Sequence, residues 1–296
     1  MQFRAIAIVT TIFLLWISTF VQQELESLLA YVFIFSFGIL HGSNDISLLE
    51  VRDDKNVQNW SYVKILTSYL IFIGLTAVLF YVLPVIGLLV FILLSAYHFG
   101  EEHWRDKLND STFLGRIFYM LYGLLVLFLL FQAHSTEVID LVDSITGVAI
   151  SEGIFQWTPL ILFSLAVIYS LFFLGALRTI IFNSKDLLYL VVFFVVFNAT
   201  SLLWAFAIYF IIWHALPSLM AQVTYLYGDI SKLNMLRYLK SSIGYWAISL
   251  VGIYGIYWFF SLDETNFLPI FFPILAALTF PHVFVMAKIG PKETRE

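Results

Sequence analysis

Long apolar stretches separated by short polar ones run along the whole chain. The longer stretches hold about 20 apolar residues, which is the length an α-helix needs to cross the hydrocarbon core of a bilayer. The sequence is 61% hydrophobic and 12% charged, whereas soluble domains carry about 25% charged residues. The pattern predicts an all-α fold, a polytopic transmembrane helical bundle, and excludes a soluble protein with a large core.

The apolar runs predict ten spans, within a range of eight to ten. They cover residues 5–20, 28–49, 62–83, 85–99, 113–131, 158–181, 187–198, 202–225, 241–261 and 267–287. Residues 134–156 form an acidic segment whose apolar spacing favours an amphipathic helix at the membrane interface. The first run is not followed by a small-x-small cleavage site, so we interpret it as a retained span and not as a signal peptide.

Lysine and arginine occur at every second boundary between spans, and this alternation predicts the orientation of the chain. The basic residues are Arg4, Arg52, Lys55, Lys64, Arg105, Lys107, Arg116, Arg178, Lys185, Lys232, Arg237, Lys240, Lys288, Lys292 and Arg295. The positive-inside rule then places both the N- and the C-terminus in the cytoplasm. We find no internal repeat or linker, so we predict a single integral-membrane helical domain over residues 1–296, in the cell inner (plasma) membrane. No nucleic acid partner is expected.

The candidate chemistry lies in the histidines. The chain has six of them and no cysteine, which excludes disulfides, thiolate metal sites and cysteine nucleophiles. Four histidines lie in apolar runs that cross the membrane in the same direction, at similar distances from the cytoplasmic basic residues: His41, His98, His214 and His282. We therefore predict that their rings share one layer of the bundle. His134 is predicted on the other membrane side, and His103 in a charged cytoplasmic loop, 101–111, outside the core.

Each of the four histidines, taken alone, could be a packing residue. Ionisable groups inside a membrane are costly and usually functional, and imidazole is a common ligand for Fe, Cu and Zn. Four at one level favour a metal centre with four histidine ligands. A ligating histidine usually gives its other N–H to a carboxylate or carbonyl. Asp45, at helical spacing from His41, is predicted to orient that ring, and Glu101 or Glu102 to do so for His98, although a solvated loop is an alternative for these two glutamates.

Several enzyme classes are excluded by their motifs. The chain has none of the HxxxH and HxxHH clusters of membrane di-iron enzymes, no HExxH and no GxSxG. A haem held by two histidines would leave the other two without a purpose. Four neutral imidazoles would leave Fe(II) with open coordination positions, which suits O₂ chemistry on an apolar substrate.

Four short motifs, in this order along the chain, resemble those of the Brp/Blh family of bacteriorhodopsin-related proteins and microbial β-carotene 15,15′-dioxygenases. They are His41-Gly-x-x-Asp45, Tyr97-His98-Phe99-Gly100, Trp213-His214-x-x-Pro217 and Pro281-His282. The resemblance implies an Fe(2+) cofactor held by the four histidines and cleavage of β-carotene with O₂ to two molecules of all-trans-retinal. It also implies that the retinal serves a microbial rhodopsin. One departure is that the acidic residues after Gly100 lead into His103.

Two classes of function remain open at this point. The first is a carotenoid oxygenase, and the second is a non-catalytic rhodopsin-biogenesis partner or a histidine-based transporter of protons or cations. The predicted first, third, sixth, seventh and ninth spans carry essentially no carboxylates. A transporter would need polar groups along a path through the membrane, so this distribution favours the oxygenase.

Overall fold

The computed structural model describes residues 2–53, 62–108, 113–174, 184–259 and 264–289. This part of the chain is made of helices and turns and has no strand, which confirms the all-α prediction. The helices are α1 (Gln2–Ser18), α2 (Gln23–Glu50), α3 (Tyr62–Val82), α4 (Pro84–Leu108), α5 (Phe113–Ala133), α6 (Ser135–Thr146), α7 (Gly153–Phe172), α8 (Ser184–Ala199), α9 (Leu202–Tyr227), α10 (Lys232–Phe259) and α11 (Glu264–Ile289).

Eight helices among the described residues are long and apolar enough to cross a membrane, namely α2, α3, α4, α5, α7, α9, α10 and α11. The first and seventh predicted spans form α1 and α8, of 17 and 16 residues, which is shorter than the roughly 20 residues of a typical span. The polytopic membrane fold is thus confirmed, while the count of ten spans and the cytoplasmic termini stay predictions. Lys55, Arg178, Lys292, Arg295 and the end of the sixth and ninth predicted spans lie outside the described residues.

The predicted charged loop after the fourth span is wrong, because α4 continues as a helix to Leu108. Trp104 is fully buried there, edge-on against Phe118. Glu101 and Arg105, one turn apart, form an ion pair with a 3.0 Å separation. The segment is therefore an amphipathic end of the helix, and His103, predicted to lie outside the core, is buried within it.

The acidic segment after the fifth span does form the predicted helix, α6. It ends at Gly147, whose φ of +68° places it in the left-handed conformation that glycine adopts readily at a helix C-terminus. The position of this helix at the membrane interface stays a prediction.

Two compact units make up the chain, and each is described by itself. Unit 1 comprises Met1–Ile34 and Ile92–Ala215, and unit 2 comprises Phe35–Phe91 and Leu216–Glu296. The prediction of a single domain over the whole chain is not tested by this division.

The core of unit 1 contains a helix buried on all sides and a close contact between two helix backbones. Every residue of the α9 segment 204–215 is buried, as expected for a central helix. Helices α4 and α5 approach so closely that a Cβ atom on Gly100 would overlap the carbonyl oxygen of Tyr119, and one on Gly123 that of Ala96. Both contacts require glycine.

The core of unit 2 is built around α11. Val285 and Met286 of this helix pack on Leu48, near the end of α2. The ring of Phe284 meets that of Phe72 on α3, with 5.1 Å between ring centroids. These contacts hold α11 against α3 and against the C-terminal part of α2, which begins just after His41.

Candidate active site

Unit 2 holds the first pair of buried histidines. His41 of α2 and His282 of α11 are only 4% and 3% exposed. Their ring centroids lie 4.7 Å apart with the planes at 80°. Two imidazoles predicted from separate apolar runs are therefore neighbours within this unit.

The ring of His41 is oriented by its own helix. Its Nδ1 bonds the carbonyl oxygen of Gly38, and because a carbonyl only accepts, Nδ1 carries the proton. In a neutral imidazole the lone pair is then on Nε2. Gly38 closes a π-helical turn, Ile34–Gly38, and such turns are frequent at functional sites.

The ring of His282 is oriented by a carboxylate on another helix. Oδ1 of Asp45 lies 2.8 Å from His282 Nδ1, and Oδ2 of the same carboxylate accepts the hydroxyl of Tyr69 at 2.9 Å. Asp45 is 1% exposed. The prediction that Asp45 orients His41 thus had the wrong partner, since Nδ1 of His41 is bonded by Gly38. The lone pair of a neutral His282, like that of His41, is on Nε2.

A second polar network holds the backbone next to Asp45. Asn44 donates to the carbonyl oxygen of Tyr238 and to the hydroxyl of Ser242. The hydroxyl of Tyr238 in turn donates to Oε1 of Gln222 at 2.7 Å. All of these side chains are buried. The turn between His41 and Asp45 is therefore held by hydrogen bonds to α10, and Gln222 of α9 holds the Tyr238 side chain.

Sequence reasoning missed this second set of residues, together with Tyr69. Asn44 and Gln222 gave a usable signal, because an amide inside an apolar run needs a buried partner. Tyr69 and Tyr238 gave none, since tyrosine is common in membrane helices as a packing residue.

Unit 1 holds the second pair of buried histidines. His98 of α4 and His214 of α9 are 1% and 2% exposed. Their ring centroids are 4.7 Å apart and the planes are at 78°. Aromatic rings surround them, with the centroid of Phe99 at 4.7 Å and that of Phe210 at 5.6 Å from His214. Aromatic side chains therefore flank this pair.

His214 lies in a π-helical turn, Tyr209–Ala215, and the sequence explains it. Pro217 lacks the N–H that would bond the carbonyl of Trp213 in an α-helix, and its ring crowds that carbonyl. The helix is thus disturbed in the turn that carries His214. Pro281 removes a backbone donor in the same way immediately before His282 in α11.

The other predicted residues, Glu101 and Glu102, lie on α4 one turn after His98. Glu101 pairs with Arg105 and accepts the hydroxyl of Tyr97 at 3.4 Å. Glu102 follows it on α4, half-buried, and its role beside a metal ligand stays a prediction.

His134 and His103 are not members of either pair. His134 precedes α6, with Nδ1 3.8 Å from Glu137, and partial burial lowers the pKa of its imidazole. His103 lies 3.4 Å through Nε2 from the hydroxyl of Tyr122 and its ring contacts Trp104 and Tyr189. These contacts make His103 part of the aromatic core of unit 1.

The donor chemistry of the two pairs fits a divalent first-row transition metal. Each pair offers buried imidazole nitrogens. In unit 2, the hydrogen bonds at Nδ1 of His41 and His282 leave Nε2 as the atom that can bind a metal. Within the described residues, however, no group of three or more His, Asp or Glu side chains is placed to hold a metal ion. The four-ligand centre therefore stays a prediction.

The fold and these side chains define an all-α polytopic membrane protein with two buried histidine pairs. Residues 32–289 match the family model for beta-carotene 15,15'-dioxygenase, and the chain belongs to that family. The match confirms the resemblance to the Brp/Blh family, and it includes both histidine pairs, Asp45 and Tyr69. No curated protein and no solved structure matches the chain.

Proposed function

We propose that this protein is an iron-dependent oxygenase that cleaves the central double bond of β-carotene, or of a related carotenoid, with O₂ to give all-trans-retinal. The carbon–carbon double bond breaks and each of its two carbons receives one atom of O₂, so two aldehydes form and no external reductant is needed. The family match over residues 32–289 carries this proposal, because it includes all four buried histidines.

The four histidines His41, His98, His214 and His282 are the proposed ligands of Fe(II). The bound iron would supply the activation of O₂, which does not react readily with a closed-shell polyene by itself. Supporting this assignment, all four rings are almost fully buried, and imidazole nitrogen is a ligand type that iron accepts.

The residues around the pair in unit 2 would keep the ligand nitrogens available. Asp45 holds the proton of His282 on Nδ1, and the Gly38 carbonyl does so for His41. Each ring is thereby fixed in one tautomer, so no rearrangement of protons is needed before the metal binds. Tyr69 would hold Asp45 in the orientation that reaches His282.

The residues around the pair in unit 1 would exclude water and receive a hydrocarbon. The rings of Phe99 and Phe210 flank His214, and Phe206 stacks on Phe210 with 5.2 Å between centroids. Burial of apolar area contributes roughly 25 cal/mol per Å², so a carotenoid needs no charged anchor. Regiospecificity would then come from the shape of the apolar surroundings, with the histidines fixing the point of cleavage.

The product and the location complete the proposal. All-trans-retinal is apolar and would leave into the lipid, where a microbial rhodopsin can take it up. The eight membrane-crossing helices support a multi-pass membrane protein, which we place in the cell inner (plasma) membrane.

The test is expression of the chain in bacterial cells that accumulate β-carotene, followed by chromatography of the extracted retinoids. We expect two molecules of retinal for each carotenoid consumed, with ¹⁸O from labelled O₂ in the aldehyde groups. The matched control replaces all four histidines by alanine in the same cells and should yield no retinal. If β-carotene persists unchanged with the wild-type protein present in the membrane and supplied with iron, the oxygenase proposal is wrong and the non-catalytic alternative takes its place.

A further inference from the structure

Helix α1 lies outside the residues matched by the family model, yet it contacts the segment that carries His214. The indole Nε1 of Trp213 donates to Oγ1 of Thr11 at 2.9 Å. Thr11 is fully buried and Trp213 is 6% exposed. Trp213 directly precedes His214, so this hydrogen bond reaches the backbone of a proposed ligand from a different helix.

Three further polar contacts fix α1 along its length. At its N-terminal end, Nη2 of Arg4 donates to the backbone oxygen of His103 at 3.0 Å and the guanidinium lies 3.9 Å from the buried carboxylate of Asp186. Towards its C-terminal end, the Leu14 carbonyl accepts from Trp204 Nε1 at 3.4 Å. Helix α1 is thus held both before and after Thr11, which fixes the position of the hydroxyl that accepts from Trp213.

The indole of Trp213 is confined by aromatic rings and oriented by Thr11. Its ring centroid lies 5.2 Å from that of Tyr189 and 4.9 Å from that of Phe193, which meets it edge-on. Rings restrict the space but offer no partner for the indole N–H, which can only donate. The threonine oxygen supplies that partner and selects one orientation.

We propose that Thr11 is a positioning residue for His214, acting through Trp213. The inference rests on the proposed function, in which His214 is a metal ligand. Backbone orientation in the π-helical turn Tyr209–Ala215 depends on side-chain contacts more than in an α-helix, because Pro217 removes a backbone hydrogen bond there. A shift of Trp213 would turn the adjacent His214 away from the direction needed by the metal.

The test uses the full-length protein in detergent with Thr11→Val, which keeps the shape and removes the acceptor. We expect the affinity of the metal-free protein for Co(II) and Fe(II) to fall by about 10-fold, at the lower end of the range for residues that orient a ligand. The d–d absorption bands of the Co(II) form should shift, and kcat for retinal formation should fall with KM unchanged. Thr11→Ser, which restores an acceptor, should recover both the spectrum and the affinity.

The control is Thr76→Val on α3. Thr76 is also buried, and its hydroxyl donates to the carbonyl oxygen of Phe72 in its own helix, so this variant loses a buried hydroxyl without touching Trp213. We expect wild-type metal affinity and an unchanged Co(II) spectrum. If Thr11→Val does not fold, Trp213→Phe removes the same hydrogen bond from the donor side and should give the same loss.

Two outcomes separate this inference from the proposed function. A wild-type protein that makes no retinal and binds no metal overturns both. A wild-type protein that makes retinal, with Thr11→Val or Trp213→Phe matching it in metal affinity and Co(II) spectrum, overturns the role of Thr11 alone.

Discussion

The carboxylate of Asp45 lies 2.8 Å from Nδ1 of His282, a residue 237 positions further along the chain. Both groups are buried, so the charge of Asp45 acts on the imidazole through a medium of low dielectric constant. A hydrogen bond of this kind fixes the ring and makes Nε2 a better ligand.

Substitution of Asp45 by asparagine tests this contact. The amide is neutral, so its hydrogen bond to Nδ1 of His282 is weaker than that of the carboxylate and holds the ring less firmly. We expect retinal formation and Fe(II) affinity to fall by about 10–100-fold, the usual cost of losing a group that orients a ligand. Asp143→Asn, at an exposed position on α6, is the matched control and should behave like the wild type. Equal activity of the two variants would show that the carboxylate has no role.

The effect of alanine on retinal formation should differ sharply between the four proposed ligands and His134. Alanine at His41, His98, His214 or His282 removes a proposed ligand, so we expect retinal formation to be abolished in each variant. His134→Ala should be close to wild type, because His134 belongs to neither pair. The measurement is retinal yield normalised to the amount of protein in the membrane. Wild-type yield from His214→Ala would contradict the proposed mechanism.

Tyr69 should affect stability more than cleavage. Phenylalanine at this position removes the hydroxyl that donates to Asp45 but leaves the contact between Asp45 and His282. A hydrogen bond to a charged group is worth about 1.5–3 kcal/mol, so the midpoint of thermal unfolding should fall, with a smaller loss of activity than in Asp45→Asn. Tyr62→Phe on the same helix removes an exposed hydroxyl bonded to Tyr245 and should leave the midpoint unchanged.

The helices and the histidines could be predicted from the sequence because both leave local signals. An apolar run of span length is visible without knowledge of its neighbours, and the runs around His41, His98, His214 and His282 all became helices that place these rings in the interior. Motif order was enough to indicate the family, which the match over 32–289 then showed.

The partners of those histidines could not be predicted, because they depend on how helices pack. Helical spacing pairs Asp45 with His41, whereas the packing of α11 on α2 brings His282 to the carboxylate. The sequence predicts a loop for the charged segment after His98, because its apolar content falls there. Trp104 and His103 are nevertheless buried in that segment. The reason is the position of α5, which packs on both rings, and of α8, whose Tyr189 meets His103.

The last prediction concerns Gly100, two residues after His98. A Cβ atom there would overlap the backbone oxygen of Tyr119, and a backbone atom cannot move aside as the end of a flexible side chain can. Gly100→Ala must therefore push α4 away from α5, and overpacking of this kind costs about 1–3 kcal/mol. His98 is two residues from Gly100, about 200° round the helix axis, so it lies on the other side of α4. Because both residues belong to the same turn of the helix, a shift of α4 should displace the ring of His98 as well.

We expect Gly100→Ala to lower the midpoint of thermal unfolding and to lose retinal formation even in the fraction that remains folded. Gly123→Ala, whose Cβ would overlap the carbonyl of Ala96, should destabilise the protein in the same way. Gly74→Ala on α3 is the control, since nothing lies within 4 Å of its Cβ position, and alanine there should stabilise the helix by up to about 1 kcal/mol. If Gly100→Ala and Gly74→Ala unfold at the same temperature with equal activity, α4 and α5 are not in backbone contact at this point, and the position of His98 does not depend on it.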